Sequence, residues 1–184
     1  MIRRKIHSVS IECALGNIAD QRGIAAVVNA ANAELLPGSG VAGALHDVAG
    51  PELKDECKPL APISPGQAVI TGAGTLANGY VIHCLGPVYG RDRPADSLLA
   101  SCYRNALHLA EQNAIDSIAF PAISTGAFGY PLEPAARIAI TTVLDEAERL
   151  ISVKLIRFVL FDYTSLNVFV AALDDLSSSV LAFE

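Results

Sequence analysis

The sequence lacks long apolar runs and carries few charged residues. Gly, Pro or polar residues interrupt the apolar stretches, so none has the length that crosses a membrane. Residues 1–16 alternate too much between polar and apolar side chains to form the apolar centre of a secretory leader. Only 17% of the residues are charged and 52% are hydrophobic, which excludes a disordered chain. The 184 residues therefore predict one globular domain, 1–184, with no membrane as a partner.

The cysteines and histidines lack the spacing of a metal site. The four cysteines form no CxxC pair, and the four histidines form no HxH or HxxxH pair. Zinc sites use such closely spaced ligands, so the sequence predicts no metal ion, and no other cofactor is indicated. Widely separated cysteines favour a reducing compartment, which predicts a cytoplasmic location.

An excess of basic residues is also absent, since the formal net charge is −6. Proteins that bind nucleic acid by neutralising its phosphates are usually basic, so nucleic acid is disfavoured as a partner. A small anionic ligand stays compatible with this charge, because main-chain N–H groups at a helix N-terminus can hold a phosphate without Lys or Arg.

Short apolar stretches alternate with segments of helical spacing. The apolar stretches predict strands at 6–14, 24–30, 67–73, 80–86, 117–123 and 154–161. The helical spacing predicts helices at 41–57, 94–112, 131–150 and 163–173. Apolar strands between helices indicate a sheet covered on both faces, and two strands with no helix between them indicate some antiparallel pairing. The predicted fold class is α/β, a three-layer α/β/α sandwich with a mixed, mostly parallel six-stranded sheet. Its core spans about 6–173, and the end, 177–184, is predicted to be a frayed tail.

Three predicted strands run directly into polar or glycine-rich loops. They are followed by NAANAELLPGSG after residue 28, by ISTGAFGYP after residue 122 and by FDYTS after residue 160. In sheets of this class, ligands bind beyond the carboxyl ends of the strands, where loops lead into helix N-termini. We therefore expect a binding site at these three strand ends.

The first glycine loop, 38–43, reads GSGVAG and matches the GxGxxG pattern. A dinucleotide-binding Rossmann site is disfavoured, because residues 29–37 separate the loop from its strand and no acid follows about 20 residues on. Glycines still allow close approach to a phosphate, and a helix that starts near Val41 offers free N–H groups. The alternative is an ordinary loop with a helix cap.

The second glycine loop, 124–131, reads STGAFGYP. No Lys follows it in the Walker pattern, so hydrolysis of the P-loop type is not indicated. Together, the two glycine loops could hold two phosphates. Phe128 or Tyr130 could wall a sugar, and either could instead be a core residue.

Two further positions have both a functional and a structural interpretation. Phe161 could stack on a nucleobase at the end of the last strand, or could be buried in the core. Asn17 or Asp20, after the first strand, could accept a hydrogen bond from an exocyclic amine, and either could instead cap a helix.

Four ordered motifs resemble the macro domain family across about 6–173. They are NAAN (29–32), GSGVAGALH (38–46), VIHCLGPV (81–88) and SIAFPAISTGAFGYP (117–131). Within that family, the chain is similar to the bacterial O-acetyl-ADP-ribose deacetylases that also remove mono-ADP-ribose from proteins. The resemblance implies ADP-ribose or O-acetyl-ADP-ribose as the ligand and mono-ADP-ribosylated proteins as partners.

The resemblance also implies a place for each part of ADP-ribose. Adenine would lie against Phe161, with its amine near Asn17 and a main-chain contact at Ile18. Asn32 would bond the distal ribose as the catalytic residue, and Phe128 would flank that ribose. Asn29 would be structural and satisfy buried main chain at the strand end. The diphosphate would lie between two sets of loop residues, Gly40, Val41 and Ala42 on one side and Ser124, Thr125, Gly126, Ala127 and Phe128 on the other.

Two departures from the family pattern bear on function. Asn17 stands where the family usually has Asp, and Ala42 stands where the deacetylases have an Asp that handles the hydrolytic water. Without that Asp, the resemblance implies a water held by Asn32 and by the phosphate of the substrate itself. His46 could replace the base but is better interpreted as structural, and His83 as a core residue. Two functions stay open, an ADP-ribosyl ester hydrolase and a non-catalytic ADP-ribose reader.

Overall fold

The computed structural model describes residues 2–181, with the side chains of 2–178. A single sheet of seven strands runs through it, in the order β1-β2-β7-β6-β3-β5-β4. The strands are β1 (Ile2–Ile6), β2 (Val9–Leu15), β3 (Ala26–Ala30), β4 (Ala68–Gly72), β5 (Tyr80–Cys84), β6 (Ser117–Phe120) and β7 (Leu155–Leu160). The helices are α1 (Val41–Ala49), α2 (Pro51–Cys57), α3 (Ala95–Gln112), α4 (Leu132–Ala147) and α5 (Tyr163–Leu181).

The central five strands are parallel, and the strands at both edges are antiparallel to their neighbours. The predicted antiparallel pair of strands at 67–73 and 80–86 is thus confirmed as β4 and β5. Because the central strands are parallel, the carboxyl ends of β3, β6 and β7 lie at the same edge of the sheet. The loops that follow these three strands are the ones that the sequence predicts to carry the site.

Helices cover both faces of the sheet, each over a separate apolar core. One core joins the sheet to α3, α4 and α5 through residues such as Tyr103, Ile140 and Phe169. The other joins it to α1 and α2 through residues such as Leu45 and Leu53. Side chains alternate between the two faces of a strand, so both faces of a central strand must be apolar here. The predicted three-layer α/β/α sandwich with a mixed, mostly parallel sheet is confirmed.

The predicted number of six strands is wrong, because residues 2–15 form a hairpin of two strands instead of one strand at 6–14. The chain turns at His7, whose φ is +50°. The first strand of this hairpin, IRRKI, has too many charges for an apolar pattern. Its charges are accommodated because it is an edge strand, and Arg3 contacts the buried carboxylate of Glu12 on β2.

Two helix boundaries also differ from the prediction. The helix predicted at 41–57 is two helices, because Gly50 has a φ of +80° and Pro51 starts α2. The last helix continues beyond 173 to Leu181, and Ser177 is buried within it. Residues 177–181, predicted as part of a frayed tail, continue this helix, and 182–184 lie outside the described residues.

Replacing Glu12 by Ala is expected to lower the free energy of unfolding by about 3 kcal/mol. The Glu12 side chain is fully buried, and its Oε2 accepts a hydrogen bond from Nε of Arg157, itself 18% exposed, at 2.8 Å. Removing the carboxylate leaves that largely buried guanidinium without its counter-charge. Urea unfolding measures the change, with Asp175→Ala as the control. Asp175 pairs with Arg137 at the surface, where such a pair contributes about 1 kcal/mol or less. An equal decrease in the free energy of unfolding in both variants would contradict the expectation.

Candidate functional site

Two neighbouring cavities lie beyond the carboxyl ends of β3, β6 and β7. The first cavity has a volume of about 310 Å³ and the second about 490 Å³. Gly40, Val41, Ala122 and Gly126 line both cavities, so the two form one continuous cleft. The cleft lies at the edge of the sheet where its topology places ligand sites.

Every predicted site residue lines this cleft. The first cavity is lined by Asn32, Gly40, Val41, Ala42, Ser124, Gly126, Ala127 and Phe128, and the second by Asn17, Ile18, Gly40, Val41, Thr125, Gly126 and Phe161. The structure thus brings together residues that are up to 144 positions apart, from Asn17 to Phe161. Their individual roles in binding stay predictions.

The first glycine loop leads into the N-terminus of α1, which no side chain caps and whose first turn has no acid. Gly40 precedes the helix with a φ of +67°, a conformation that favours glycine. Gly43 packs against the loop so closely that an added Cβ would lie 2.3 Å from the main-chain O of Gly38. The first N–H groups of the helix therefore stay available to an anion at the wall of the cleft.

The second glycine loop is a compact turn, in which the N–H of Gly129 bonds the O of Gly126 and the N–H of Tyr130 bonds the O of Ser124. Nothing lies within 4 Å of the position that a Cβ on Gly126 would take. Gly126 therefore presents bare main chain at the junction of the two cavities. The turn and the N-terminus of α1 line the same two cavities. Their binding of two phosphates stays a prediction.

Ser124 has an unsatisfied hydroxyl at the first cavity. The residue is 6% exposed and has a φ of +67°, and its Oγ has no hydrogen-bond partner among the described residues. A Cβ on Gly86 would lie 2.1 Å from this Oγ, so only a glycine at 86 leaves room for the hydroxyl. A buried hydroxyl without a partner is costly, and a ligand oxygen or a water in the cavity would satisfy it. Gly86 is not among the predicted site residues, although its place in the VIHCLGPV motif marks it.

The Asn32 side chain holds its own loop in place. Its Nδ2 donates to the O of Leu36 at 2.8 Å, and its Oδ1 accepts from the N–H of Leu36 at 3.0 Å. A carboxamide has two hydrogens and two lone pairs, so one donor and one acceptor stay free for a ligand in the first cavity. Asn32 is thus oriented by the loop before any ligand binds.

None of the side chains that line the first cavity is titratable. Ala42, at the position of the missing Asp, is 4% exposed in the first turn of α1. His46, one turn further, lines neither cavity. Burial lowers the pKa of His46 below its ordinary 6.5, so the ring is neutral at pH 7. The arrangement can bind and orient a ligand, but it offers no side-chain base next to Asn32.

A buried polar network lies on β3, β4 and β5. His83 is fully buried, as predicted for a core residue, and burial lowers its pKa to about 3. Its Nδ1 lies 3.1 Å from Nδ2 of Asn29, and its Nε2 lies 2.9 Å from Oγ1 of Thr71. The prediction that Asn29 bonds main chain is therefore wrong, because its amide faces the imidazole on the neighbouring strand. The strand register places Asn29 directly opposite His83.

The outer end of the second cavity has an aromatic ring and an amide. Phe161 is 89% exposed, which excludes the interpretation as a core residue. Asn17 lines the cavity, whereas Asp20 does not. The Oδ1 of Asp20 instead lies 3.6 Å from the Nε of Arg22. Of the two aromatics in the second glycine loop, Phe128 lines the first cavity and Tyr130 is 3% exposed with its hydroxyl bonded to Asp96.

Residues 2–181 contain neither a metal cluster nor a membrane-spanning helix. No group of three or more His, Cys, Asp or Glu side chains could hold a metal ion in this part of the chain. None of its helices is long and apolar enough to span a membrane.

Comparison with known proteins identifies similar sequences and folds. A family model described as Macro domain matches residues 28–139. A macro domain-containing protein of Caldanaerobacter subterraneus is 46% identical, over 88% of this chain and 94% of that protein. A protein of Salmonella newport named O-acetyl-ADP-ribose deacetylase is 48% identical, over 77% of this chain and 82% of that protein. A solved mutant of the Oceanobacillus iheyensis macrodomain with ADPR has a TM-score of 0.92 at 34% identity, over 96% of this chain and 98% of that chain.

Proposed function

The chain belongs to the macro domain family, and from that premise we propose that its cleft binds ADP-ribose and hydrolyses ADP-ribosyl esters. The substrates are O-acetyl-ADP-ribose and proteins that carry mono-ADP-ribose on Asp or Glu. One observation carries the proposal. Two loops of small residues face each other across the junction of two cavities, with Phe161 at the outer end of one cavity and Asn32 in the other.

The diphosphate binds at the junction. Val41 at the start of α1 and Gly126 of the second glycine loop both line it, so their main-chain N–H groups bind the diphosphate there, and the positive end of the helix dipole favours the negative charge. Main-chain donors are effective in this acidic protein because they bring no side-chain entropy cost to the site. The Ser124 hydroxyl, which has no partner among the described residues, donates to the ligand from the wall of the first cavity.

The distal ribose occupies the first cavity, between Asn32 and Phe128. The free donor and acceptor of Asn32 orient the ribose and a water beside the ester. Water adds and the ester bond breaks, which releases a carboxylic acid and ADP-ribose. A phosphate oxygen of the substrate receives the proton of the water, because no lining side chain can take it.

The experiment that tests this function is incubation with a protein carrying mono-ADP-ribose on a carboxylate, followed by measurement of the ADP-ribose released. Calorimetry with ADP-ribose is done in parallel. Release well above that of the protein-free control supports the hydrolase. Binding without release would leave a reader, and the absence of both would contradict the assignment of the cleft to ADP-ribose.

A non-catalytic ADP-ribose reader is the second candidate, and the lack of any titratable group in the first cavity favours it. Ala42→Asp tests this point, because it adds a carboxylate at the cavity wall. General-base catalysis contributes about 10²–10⁴-fold in enzymes, so we expect the rate of ester hydrolysis to rise at least about tenfold. Ala42→Asn is the matched control, with nearly the same shape and no base. An equal change in both variants would contradict a role for the missing base.

The rate of hydrolysis is expected to be nearly independent of pH between 6.5 and about 8.5. Burial lowers the pKa of His46 below its ordinary 6.5 and that of His83 to about 3, so the neutral form of both imidazoles predominates throughout this range. A profile of kcat/KM against pH measures this. An inflection between pH 6.5 and 8 that disappears in His46→Gln would contradict the expectation and would make His46 the base.

A further inference from the structure

Resting on the proposed function, we propose that a groove beside the first cavity holds the polypeptide of a mono-ADP-ribosylated substrate and favours an acidic residue near the modified one. The groove has a volume of about 870 Å³ and is lined by residues of the segment 89–97. We call it the acceptor groove. Arg93 determines the preference for an acid, and Tyr89 supplies a contact that any polypeptide can use.

The acceptor groove adjoins the first cavity, in which the proposed function places the distal ribose. The main-chain N of Tyr89 donates to the O of Phe128 at 2.9 Å, and Phe128 lines the first cavity. Gly86 lines that cavity too, and the three positions from Gly86 to Tyr89 span at most about 11 Å of extended chain. A polypeptide joined to the ribose through an Asp or Glu side chain therefore reaches the groove within a few residues.

Tyr89 presents an aromatic ring at the wall of the acceptor groove. Its centroid lies 4.8 Å from that of the Tyr130 ring, at an interplanar angle of 57°. Tyr130 is 3% exposed and its hydroxyl donates to Asp96, so the supporting ring is fixed, whereas Tyr89 is 50% exposed. An exposed ring that packs against a buried one offers apolar surface to a polypeptide and has little conformational entropy left to lose.

Among the charged side chains that line the acceptor groove, only Arg93 has no partner in the described part of the chain. Asp92 accepts from the N–H of Val88 at 2.8 Å and from Nε of Arg91 at 3.1 Å. Asp96 accepts from the tyrosine hydroxyl described above. Arg93 is exposed, so its guanidinium is available to a carboxylate of the bound polypeptide and would repel an ammonium group.

The test measures kcat/KM for three peptides that carry mono-ADP-ribose on one Glu and have Glu, Gln or Lys two positions away. The fourth substrate is O-acetyl-ADP-ribose, which has no polypeptide to occupy the groove. Because an ion pair with Arg93 is open to water, we expect the wild-type protein to favour the Glu peptide over the Gln peptide by about two- to fivefold. The Lys peptide should give the lowest value of the three.

Substitutions at Arg93 should change the order of the three peptides. Arg93→Ala should abolish the order, and Arg93→Glu should reverse it, so that the Lys peptide becomes the best of the three. Both variants should hydrolyse O-acetyl-ADP-ribose at the wild-type rate, which also shows that they are folded. Arg137→Ala is the matched control, because it removes the same charge from α4, where Arg137 pairs with Asp175 outside the groove.

Tyr89→Ala tests the other wall contact of the acceptor groove. It should lower kcat/KM for all three peptides by about two- to tenfold and keep their order, because an aromatic contact does not depend on the charge of the neighbouring residue. Its main-chain N–H still bonds the O of Phe128, so hydrolysis of O-acetyl-ADP-ribose should stay at the wild-type rate.

Equal values for the three peptides in the wild-type protein would overturn the proposal and assign the groove to another occupant. An order that Arg137→Ala abolishes as Arg93→Ala does would overturn it too, because the overall charge would then be responsible. If the protein binds without turnover, the same order must appear in the dissociation constants of the three peptides. Binding of ADP-ribose with no order among the peptides defeats this inference alone, whereas no binding of ADP-ribose defeats the proposed function.

Discussion

Gly126→Val should weaken ADP-ribose binding by about 10²–10⁴-fold and leave the free energy of unfolding nearly unchanged. Gly126 lines both cavities at their junction, where the proposed diphosphate lies against main chain. A valine side chain there would occupy the space of the phosphates and remove two or more charge-assisted hydrogen bonds. Each such bond contributes about 1.5–3 kcal/mol, which gives the expected range.

The same glycine is favourable for this test because the fold does not need it. No atom lies within 4 Å of an added Cβ, and the φ of Gly126 is outside the left-handed region. The substitution should therefore produce a folded protein, which urea unfolding verifies. Calorimetry on wild type, Gly126→Ala and Gly126→Val should show a graded loss with side-chain size. Wild-type affinity in a folded Gly126→Val would place the diphosphate elsewhere and would remove the basis of the proposed function.

The positions of the strand ends could be predicted from the sequence because parallel sheets have a strong local signal. Apolar stretches such as 24–28 and 117–120 predict central strands, and the glycines and asparagines after them indicate loops. Parallel topology then brings those loops to one edge of the sheet. Motifs that are distant from one another in the sequence therefore predict one cleft. The break between α1 and α2 also has a local signal, the Gly50-Pro51 pair, which the helical spacing on both sides conceals.

The features that the sequence does not predict depend on contacts between distant residues. The charges of β1 conceal a strand, and only the buried carboxylate of Glu12 explains why they are accommodated. The unsatisfied hydroxyl of Ser124 depends on the space beside Gly86, which lies 38 positions earlier. The direction of the Asn17 amide depends on a single N–H two residues later. Side-chain orientation of this kind decides which atoms face a ligand, and no pattern of residue types carries it.

Asn32→Asp should lower kcat for ester hydrolysis by about 10²–10³-fold and change the affinity for ADP-ribose by less than about tenfold. The aspartate keeps an oxygen for the N–H of Leu36, so the loop stays partly held. It loses the Nδ2 donor, which in the proposed mechanism orients the ribose and the water.

Asn32→Ala separates the two tasks of this side chain, because it removes both bonds to Leu36 as well as the groups that face the cavity. We expect the same loss in kcat and, in addition, weaker ADP-ribose binding, since the loop that carries Gly38 and Gly40 is no longer held in place. Single-turnover release of ADP-ribose and calorimetry on both variants measure the two effects. If Asn32→Asp loses affinity as strongly as Asn32→Ala and keeps its turnover, Asn32 only shapes the loop. The water would then be positioned by the substrate and the main chain alone, which is the mechanism that a cavity without titratable side chains would still permit.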